Sequence, residues 1–250
     1  MGFDFSSRRV TPNIGVAITH KDRPRTMMTN YVKWSLETPD DAPIVVVDDG
    51  SEYWDEKWPG PKPDFISPKS PKQSRGVARA KNICLEILMD LDVEHLFLVD
   101  DDCYPITPYW WHPYVESPHP HLQAIFPKPG GTSVKKLVPA RLDENHISYD
   151  GGRGYFLYFH RSAIEKVGGF DPTFSPGGWE HVNMSDRIFT SGLTPSRFID
   201  VSTKTIQAMD EVRSIESSIG PRSRADRARA RGYRLKMMDV PYYVDYRSAQ

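Results

Sequence analysis

The chain has 250 residues, a formal net charge of −1, and 38% apolar, 26% charged and 12% aromatic residues. This balance excludes a disordered or fibrous chain, and the length suits one large domain or a domain with a short appendage. No apolar run approaches the roughly 20 residues that cross a bilayer, and residues 1–10 hold no hydrophobic signal core, so the expected setting is the cytoplasm.

Residues 14–18 and 44–47 are short apolar runs rich in β-branched side chains, the pattern of strands buried on both faces of a parallel sheet. Between them residues 24–37 read as a helix that Pro24 opens, with Met27, Met28, Tyr31, Val32 and Leu36 as its apolar face. Val77, Ala80, Ile83, Cys84, Ile87, Leu88 and Leu91 recur at three- and four-residue spacing and predict a second helix over about 76–90. A further strand, 96–99, runs into three consecutive aspartates. This order implies right-handed crossovers, with ligands bound outside the carboxyl ends of the strands, where His20, Asp48 and Asp100 fall.

Beyond residue 104 the pattern predicts strands at 122–126 and 155–159 and helices at 161–167 and 182–190, with the last 40 residues a helical tail. The 22 prolines cluster at 58–71, 105–120 and 127–139 and argue for long shaped loops, which commonly line sites. Only Cys84 and Cys103 occur, too few for a disulfide framework and without the paired Cys/His spacing of a zinc site; both are expected to be free thiols.

Asp100-Asp101-Asp102 at a strand end repel one another unless a cation neutralises them, and carboxylate oxygens suit Mg²⁺ or Mn²⁺ shared with a phosphate. Strand alternation sends Asp100 and Asp102 to one side and Asp101 to the other; a solvated turn is the plainer alternative. Asp48-Asp49-Gly50-Ser51 repeats the theme: a carboxylate there can accept from a base N–H or ribose hydroxyls, or simply exit a strand through Asp-Gly. Arg75, Arg79 and Lys81 bring cations to a helix N-terminus, against the helix dipole, which makes sense if an anion docks there and is otherwise a solvated basic face.

Taken in order, these segments resemble the family-2-like, GT-A-fold nucleotide-sugar glycosyltransferases. Thr19-His20-Lys21-Asp22-Arg23-Pro24 is similar to the family's Thr-x-x-Arg-Pro turn, and Val47-Asp48-Asp49-Gly50-Ser51 to its Val-Asp-Asp-Gly-Ser. The helix from Gly76 to Asn82 follows the Gly-x-x-x-Ala-Arg-Asn pattern with Lys81 in place of Arg, and Asp100 to Asp102 give the Asp-x-Asp motif. Val167-Gly168-Gly169-Phe170-Asp171 and then Gly177-Gly178-Trp179-Glu180-His181 complete the series, which spans about residues 14–192.

The resemblance implies an α/β, Rossmann-like GT-A domain over 1–210, its mostly parallel central sheet flanked by helices. Its donor half covers about 12–104 and its acceptor half about 105–210, followed by a basic, helical extension over 211–250. It implies donor contacts from Thr19, His20, Arg23, one of Asp48 and Asp49, Arg75, Asp100 and Asp101, with Mn²⁺ or Mg²⁺ on Asp100 and Asp102; the glycine-rich loop adds Arg153 as a phosphate contact. The expected donor is a UDP-sugar and the expected reaction inverting transfer to a hydroxyl. Where the family carries Glu-Asp, with Asp as base, this chain has Glu180-His181. An imidazole serves as a general base at neutral pH, so His181 is the expected base and Glu180 its partner; Glu180 as base, or His181 as a metal ligand or structural side chain, are the alternatives.

Trp179, with Gly178 and Asn183, is expected to meet the acceptor, Trp179 as a stacking face or else a core residue. Gly151-Gly152-Arg153-Gly154 reads as a loop closing over the donor or as an ordinary hairpin turn. Arg213, Arg222, Arg224, Arg227, Arg229, Arg231, Arg234 and Lys236 crowd the tail. They fit a polyanionic acceptor such as hydroxymethylated DNA, a solvated face, or a cover for the donor diphosphate, and a cytosolic glycan is the other acceptor. The rival outside enzymes is a non-catalytic sugar- or nucleic-acid-binding module on a degenerate GT-A fold.

Overall fold

The computed structural model describes residues 12–51, 65–66, 76–125, 137–174, 178–209 and 223–249. Arg75, Phe126, Gly177, Arg213, Arg222 and most of the proline-rich stretches 58–71 and 127–139 lie outside the described residues.

A six-stranded sheet forms the centre, in the order β3 (Phe65–Ile66), β2 (Ile44–Asp48), β1 (Ile14–His20), β4 (His95–Asp100), β9 (Phe156–His160), β6 (His121–Gln123). The first four strands are mutually parallel; β9 is antiparallel to both β4 and β6. The remaining described strands pair as β10 (Ile199–Val201), β8 (His146–Tyr149) and β7 (Pro139–Arg141), and as β11 (Ile206–Ala208) with β5 (Cys103–Pro105). The helices are α1 (Pro24–Glu37), α2 (Val77–Asp90), α3 (His112–Val115), α4 (Arg161–Val167), α5 (Glu180–Thr190) and α6 (Arg224–Met237). Among the described residues, no helix is long and apolar enough to cross a membrane.

Strand periodicity sorts the core in two. Ile14, Val16, Ile18, Val46, Phe97 and Val99 pack on one face with Met27, Tyr31 and Trp34 of α1, while Ala17, Val45, Val47, Leu96 and Leu98 pack on the other with Leu85 and Leu88 of α2 and Ile164 of α4. Each fully buried aliphatic side chain contributes about 1.5–3 kcal/mol.

Both early helices form where the spacing predicts, but their buried faces are rotated from the purely apolar reading. In α1 Leu36 is 76% exposed, while Asn30 is buried and donates to the Asp101 carbonyl at 2.8 Å, and Trp34 donates to the Cys103 carbonyl at 2.9 Å. In α2 Leu91 lies exposed beyond the helix end, and Lys81 and Asn82 are fully buried. Polar side chains with partners inside displace apolar ones to the rim. The strand expected at 122–126 ends its ladder at Gln123, because the Ile125 N–H is captured by the buried Asp200 carboxylate at 2.7 Å.

His121 of β6 is sealed inside, stacked on Phe159 at 4.6 Å between centroids. Its Nδ1 lies 2.9 Å from the Tyr158 carbonyl and its Nε2 2.8 Å from Ser185 Oγ. The carbonyl can only accept, so Nδ1 carries the proton and Nε2 accepts, which fixes the neutral tautomer. Burial, with a small contribution from His181, pushes its pKa down to about 4. Between that value and about 6.5 the unfolded chain binds the extra proton, so stability falls as pH drops from about 6.5 to about 4, by about 3 kcal/mol for this group. The imidazole resonances of His121, followed by NMR, are expected to titrate near 4; titration near 6.5 would show that the ring is not sealed.

Candidate functional site

The parallel register sets His20 beside Asp48 and Thr19 beside Asp100, so the carboxyl ends of β2, β1 and β4 lie side by side. Of the two acids leaving β2, Asp48 turns inward, accepting from the Ser51 N–H at 3.2 Å and from the Ser51 hydroxyl. That hydroxyl also accepts the Asp22 N–H at 2.8 Å, which locks the turn after β1 to the turn after β2. Asp49 stays partly exposed and accepts the Gly76 N–H at 3.1 Å, fixing the entrance to α2 at the strand ends.

The aspartate triplet splits by strand alternation. Asp101 is fully buried, 2.8 Å from His20 Nδ1 and ion-paired to Arg23, which also lies 3.3 Å from Asp102. Burial works against the Arg23 charge, but the three aspartates outweigh it and hold its pKa above the ordinary value. For Asp101 burial prevails, and its pKa is raised despite His20 and Arg23. His20 and Arg23 thus both pair with Asp101 inside the protein. Asp100 and Asp102 keep side chains 29% and 15% exposed, two hard carboxylates at one strand end, and this donor set fits Mg²⁺ or Mn²⁺.

Lys81 joins the two halves of the site. Its side chain is 1% exposed, and its ammonium donates to the Gly154 carbonyl at 2.7 Å and lies 3.4 Å from Asp100 and 3.9 Å from Glu180. Burial disfavours this charge, but Asp100 and Glu180 more than compensate and raise its pKa. Thr19 Oγ1 supports the same Asp100 oxygen at 3.1 Å. The sequence places Lys81 among helix-opening cations; its burial was not legible there, because an apolar face was drawn through Ala80 and Cys84 on either side of it.

Glu180 sits in the first turn of α5, where the helix dipole favours a carboxylate. Burial would raise its pKa, but His181 and Lys81 bring it down to about 2. A carboxylate this weakly basic is a poor proton acceptor near pH 7 and a good anchor. It accepts from His181 Nδ1 at 3.3 Å, and its buried Oε2 has no hydrogen-bond partner among the described residues. An ionised carboxylate only accepts, so the imidazole proton lies on Nδ1 and the lone pair on Nε2.

The glycine-rich loop serves this pair by close approach. A β-carbon on Gly154 would lie 2.8 Å from His181 Nδ1 and 2.9 Å from its Cγ, and the Gly154 carbonyl is the Lys81 acceptor. The Arg153 N–H donates to Gln123 Oε1 at 2.9 Å, tying the loop to β6.

Gly178 and Trp179 open α5 with φ of +92° and +75°. For a tryptophan this left-handed conformation costs on the order of 1–3 kcal/mol. Trp179 is partly buried against Ile125, Val182 and Phe198, and the Arg234 guanidinium covers its ring at 5.3 Å. Asn183 is fully buried and accepts from Arg187 at 3.2 Å and Tyr242 at 3.1 Å, so it braces α5.

Among the described residues 223–249 the basic tail is docked at several points. Arg234 grips buried Asp186 with two hydrogen bonds of 2.8 and 3.1 Å, Tyr233 and Tyr242 donate to Asp171, and Gly169 donates to the Val244 carbonyl at 2.7 Å. A β-carbon on Gly168, at φ +74°, would overlap that carbonyl. Arg224, Arg227, Arg229 and Arg231 remain exposed.

The architecture is similar to that of solved glycosyltransferases. A mannosyltransferase from Pyrobaculum calidifontis, PcManGT, in complex with GDP-Man and Mn²⁺, matches with a TM-score of 0.52 at 15% identity over 75% of this chain and 56% of its own. GalNAc-T7 with UDP, GalNAc and Mn²⁺ gives 0.60 at 17% identity, over 80% of this chain and 44% of its own. TarS of S. aureus, residues 1–349 with UDP, gives 0.55 at 13% identity, over 78% of this chain and 60% of its own. The chain therefore has the GT-A fold and spans about half the length of these structures. No family model matches the sequence, and no curated protein does.

Because Lys81 lies against both Asp100 and Glu180 inside the protein, Lys81→Met is expected to destabilise the fold by about 3–5 kcal/mol at pH 7. The stabilisation of ionised Glu180 is present above about 4.3 and lost as pH falls toward 2, so the deficit should narrow in acid. Urea unfolding of both proteins at pH 7 and pH 3 measures it, and equal stabilities at pH 7 would remove the ammonium from this role.

Proposed function

We propose that the chain is a metal-dependent glycosyltransferase that moves a sugar from a nucleotide-diphosphate donor, of the UDP class, to a hydroxyl acceptor with inversion. The observation that carries this reading is the Lys81 junction: one buried ammonium holds Asp100, at the donor strand ends, and Glu180, which orients His181. In this reading 1–210 is the transferase unit, with its donor half about 12–104, and 211–250 is an extension. The proposed setting is the cytoplasm, in keeping with the buried free thiols of Cys84 and Cys103.

Thr19, Asp49 and the turn of Asp48 line the nucleotide side. Asp100 and Asp102 would hold Mn²⁺ or Mg²⁺, which when bound supplies charge neutralisation for the departing diphosphate. His181 Nε2 takes the acceptor hydroxyl proton as the acceptor oxygen bonds to the anomeric carbon and the bond to the diphosphate oxygen breaks. Glu180 holds the imidazolium that forms and remains ionised throughout, as its pKa of about 2 requires. Gly154 leaves the ring the room to sit there.

Thermal unfolding with UDP, GDP, dTDP and CMP, each with and without Mn²⁺, tests the donor half, since a ligand bound only by the folded state raises Tm. A Mn²⁺-dependent rise with UDP that disappears in Asp102→Ala is expected; no rise with any nucleotide favours the non-catalytic module. His181→Ala is expected to retain donor binding and lose transfer at least about a hundredfold, and Gly154→Ala to lose roughly as much by displacing the ring. Full transfer in His181→Ala would sink the base assignment.

For the acceptor, the exposed Arg224, Arg227, Arg229 and Arg231 favour a polyanion, and modified DNA with hydroxymethylated bases is the proposed class. Replacing Arg224, Arg227 and Arg231 by Ala is expected to weaken DNA binding and flatten its dependence on salt. No binding by the parent at low salt would remove DNA and leave a glycan.

A further inference from the structure

A second group of metal-ligand side chains lies far from the aspartate triplet. His119 precedes β6, while Asp143 and His146 lie at the turn between β7 and β8. Strands β6 and β4 are both antiparallel to β9, and the register places His121 level with Leu96, at the start of β4. Asp100 closes β4 four residues on, at about 3.3 Å per residue, so the two sites sit at opposite ends of the sheet.

One oxygen or nitrogen from each of His119, Asp143 and His146 falls within 4.8 Å of the other two. His146 Nδ1 lies 2.8 Å from Asp143 Oδ1 and 3.0 Å from Oδ2, and His119 Nε2 lies 3.8 Å from Oδ2, beyond hydrogen-bond reach. Ligand atoms of a tetrahedral zinc at 2.0–2.1 Å are separated by about 3.3 Å, inside the range these distances bracket. The His119 Nε2 is buried and has no hydrogen-bond partner among the described residues. On the far side of His146, Nε2 lies 2.8 Å from Ser117 Oγ, the outer hydrogen bond that orients a ligating imidazole. The same hydroxyl accepts the His119 N–H at 3.1 Å, so one serine steadies both histidine segments.

We propose that His119, Asp143 and His146 form a binding site for a borderline transition-metal dication of the Zn²⁺ class, a structural staple separate from the hard-cation site at Asp100 and Asp102. Two imidazoles and one carboxylate suit Zn²⁺ better than Mg²⁺, and half-exposed Asp143 leaves water access to a fourth position. Bound metal ties the segment before β6 to the β7–β8 turn, joining the edge of the main sheet to the three-stranded one. Without metal this local contact rests on the Ser117 Oγ–His146 Nε2 hydrogen bond at 2.8 Å and the edge-on packing of His119 on His146 at 4.7 Å.

The test uses the full chain stripped with chelator and titrated with Zn²⁺, and separately with Co²⁺, whose visible ligand-field bands report tetrahedral coordination. The parent and Asp102→Asn are each expected to bind one Zn²⁺ and to show these bands with Co²⁺. His119→Ala and Asp143→Asn should lose both the bands and at least about tenfold in affinity. At free Zn²⁺ a hundredfold over Kd, parent Tm should rise by roughly 5–10 °C, with no rise in His119→Ala. Asp143→Asn changes a half-exposed turn, and its metal-free Tm and circular dichroism, compared with the stripped parent, separate ligand loss from misfolding. No Zn²⁺ bound by the parent, equal binding by the parent and both site variants, or binding lost in Asp102→Asn instead, would each overturn the proposal. None of these readouts involves sugar transfer, so the proposal stands or falls apart from the proposed activity.

Discussion

A lysine ammonium buried between two carboxylates is the constraint on which the site depends. Lys81 is carried by α2, Asp100 by β4 and Glu180 by α5, so three elements distant in sequence converge on one charge. Sealed from water, such a charge is tolerated only while its partners stay in place, and breaking the group leaves an unpaired buried ion. The ammonium also binds the Gly154 carbonyl, which brings in the loop that accommodates His181. Asp100 at the end of β4 and the Glu180–His181 pair at the start of α5 are thereby held in one geometry by a side chain that is itself out of reach of solvent.

A similar economy operates at the other acids. Asp101 shares its carboxylate between His20 and Arg23, which leaves Asp100 and Asp102 as the partly exposed members of the triplet. Asp186, fully buried in α5, is gripped by Arg234 from α6 and lies 3.0 Å from Arg197. That grip seats the tail against α5, and Arg234 at the same time lies over the Trp179 ring. The tail thus covers the Trp179 ring two residues before His181, while Arg224, Arg227, Arg229 and Arg231 are exposed.

The parallel part of the main sheet was largely legible because parallel strands leave a strong signal: short β-branched runs, each ending in acids or in a tight turn. Period-2 alternation was enough to separate Asp101 from Asp100 and Asp102. It was not enough to choose between Asp48 and Asp49, a choice made by the Ser51 hydroxyl bonding to Asp48. The described residues beyond 104 were less legible, since β7, β8, β10 and β11 run for three or four residues, and β10 with β8 and β11 with β5 pair across long sequence separations. Short strands leave too few alternations to detect, and nothing local announces the partners of β10 and β11.

The sequence by itself determined the alternation of strands and helices, the acids at the strand ends and the glycines at the turns, because these follow from local sterics and from periodicity along one element. Only the tertiary structure decided that Lys81 is buried, that Glu180 is an ionised anchor at a pKa of about 2, that Asn183 is a brace, and that Arg234 is an inward clamp. Those assignments depend largely on which group meets which across tens of residues of chain. The free energy of a buried charge is set by its neighbours in space, and its own position in the sequence carries no record of them.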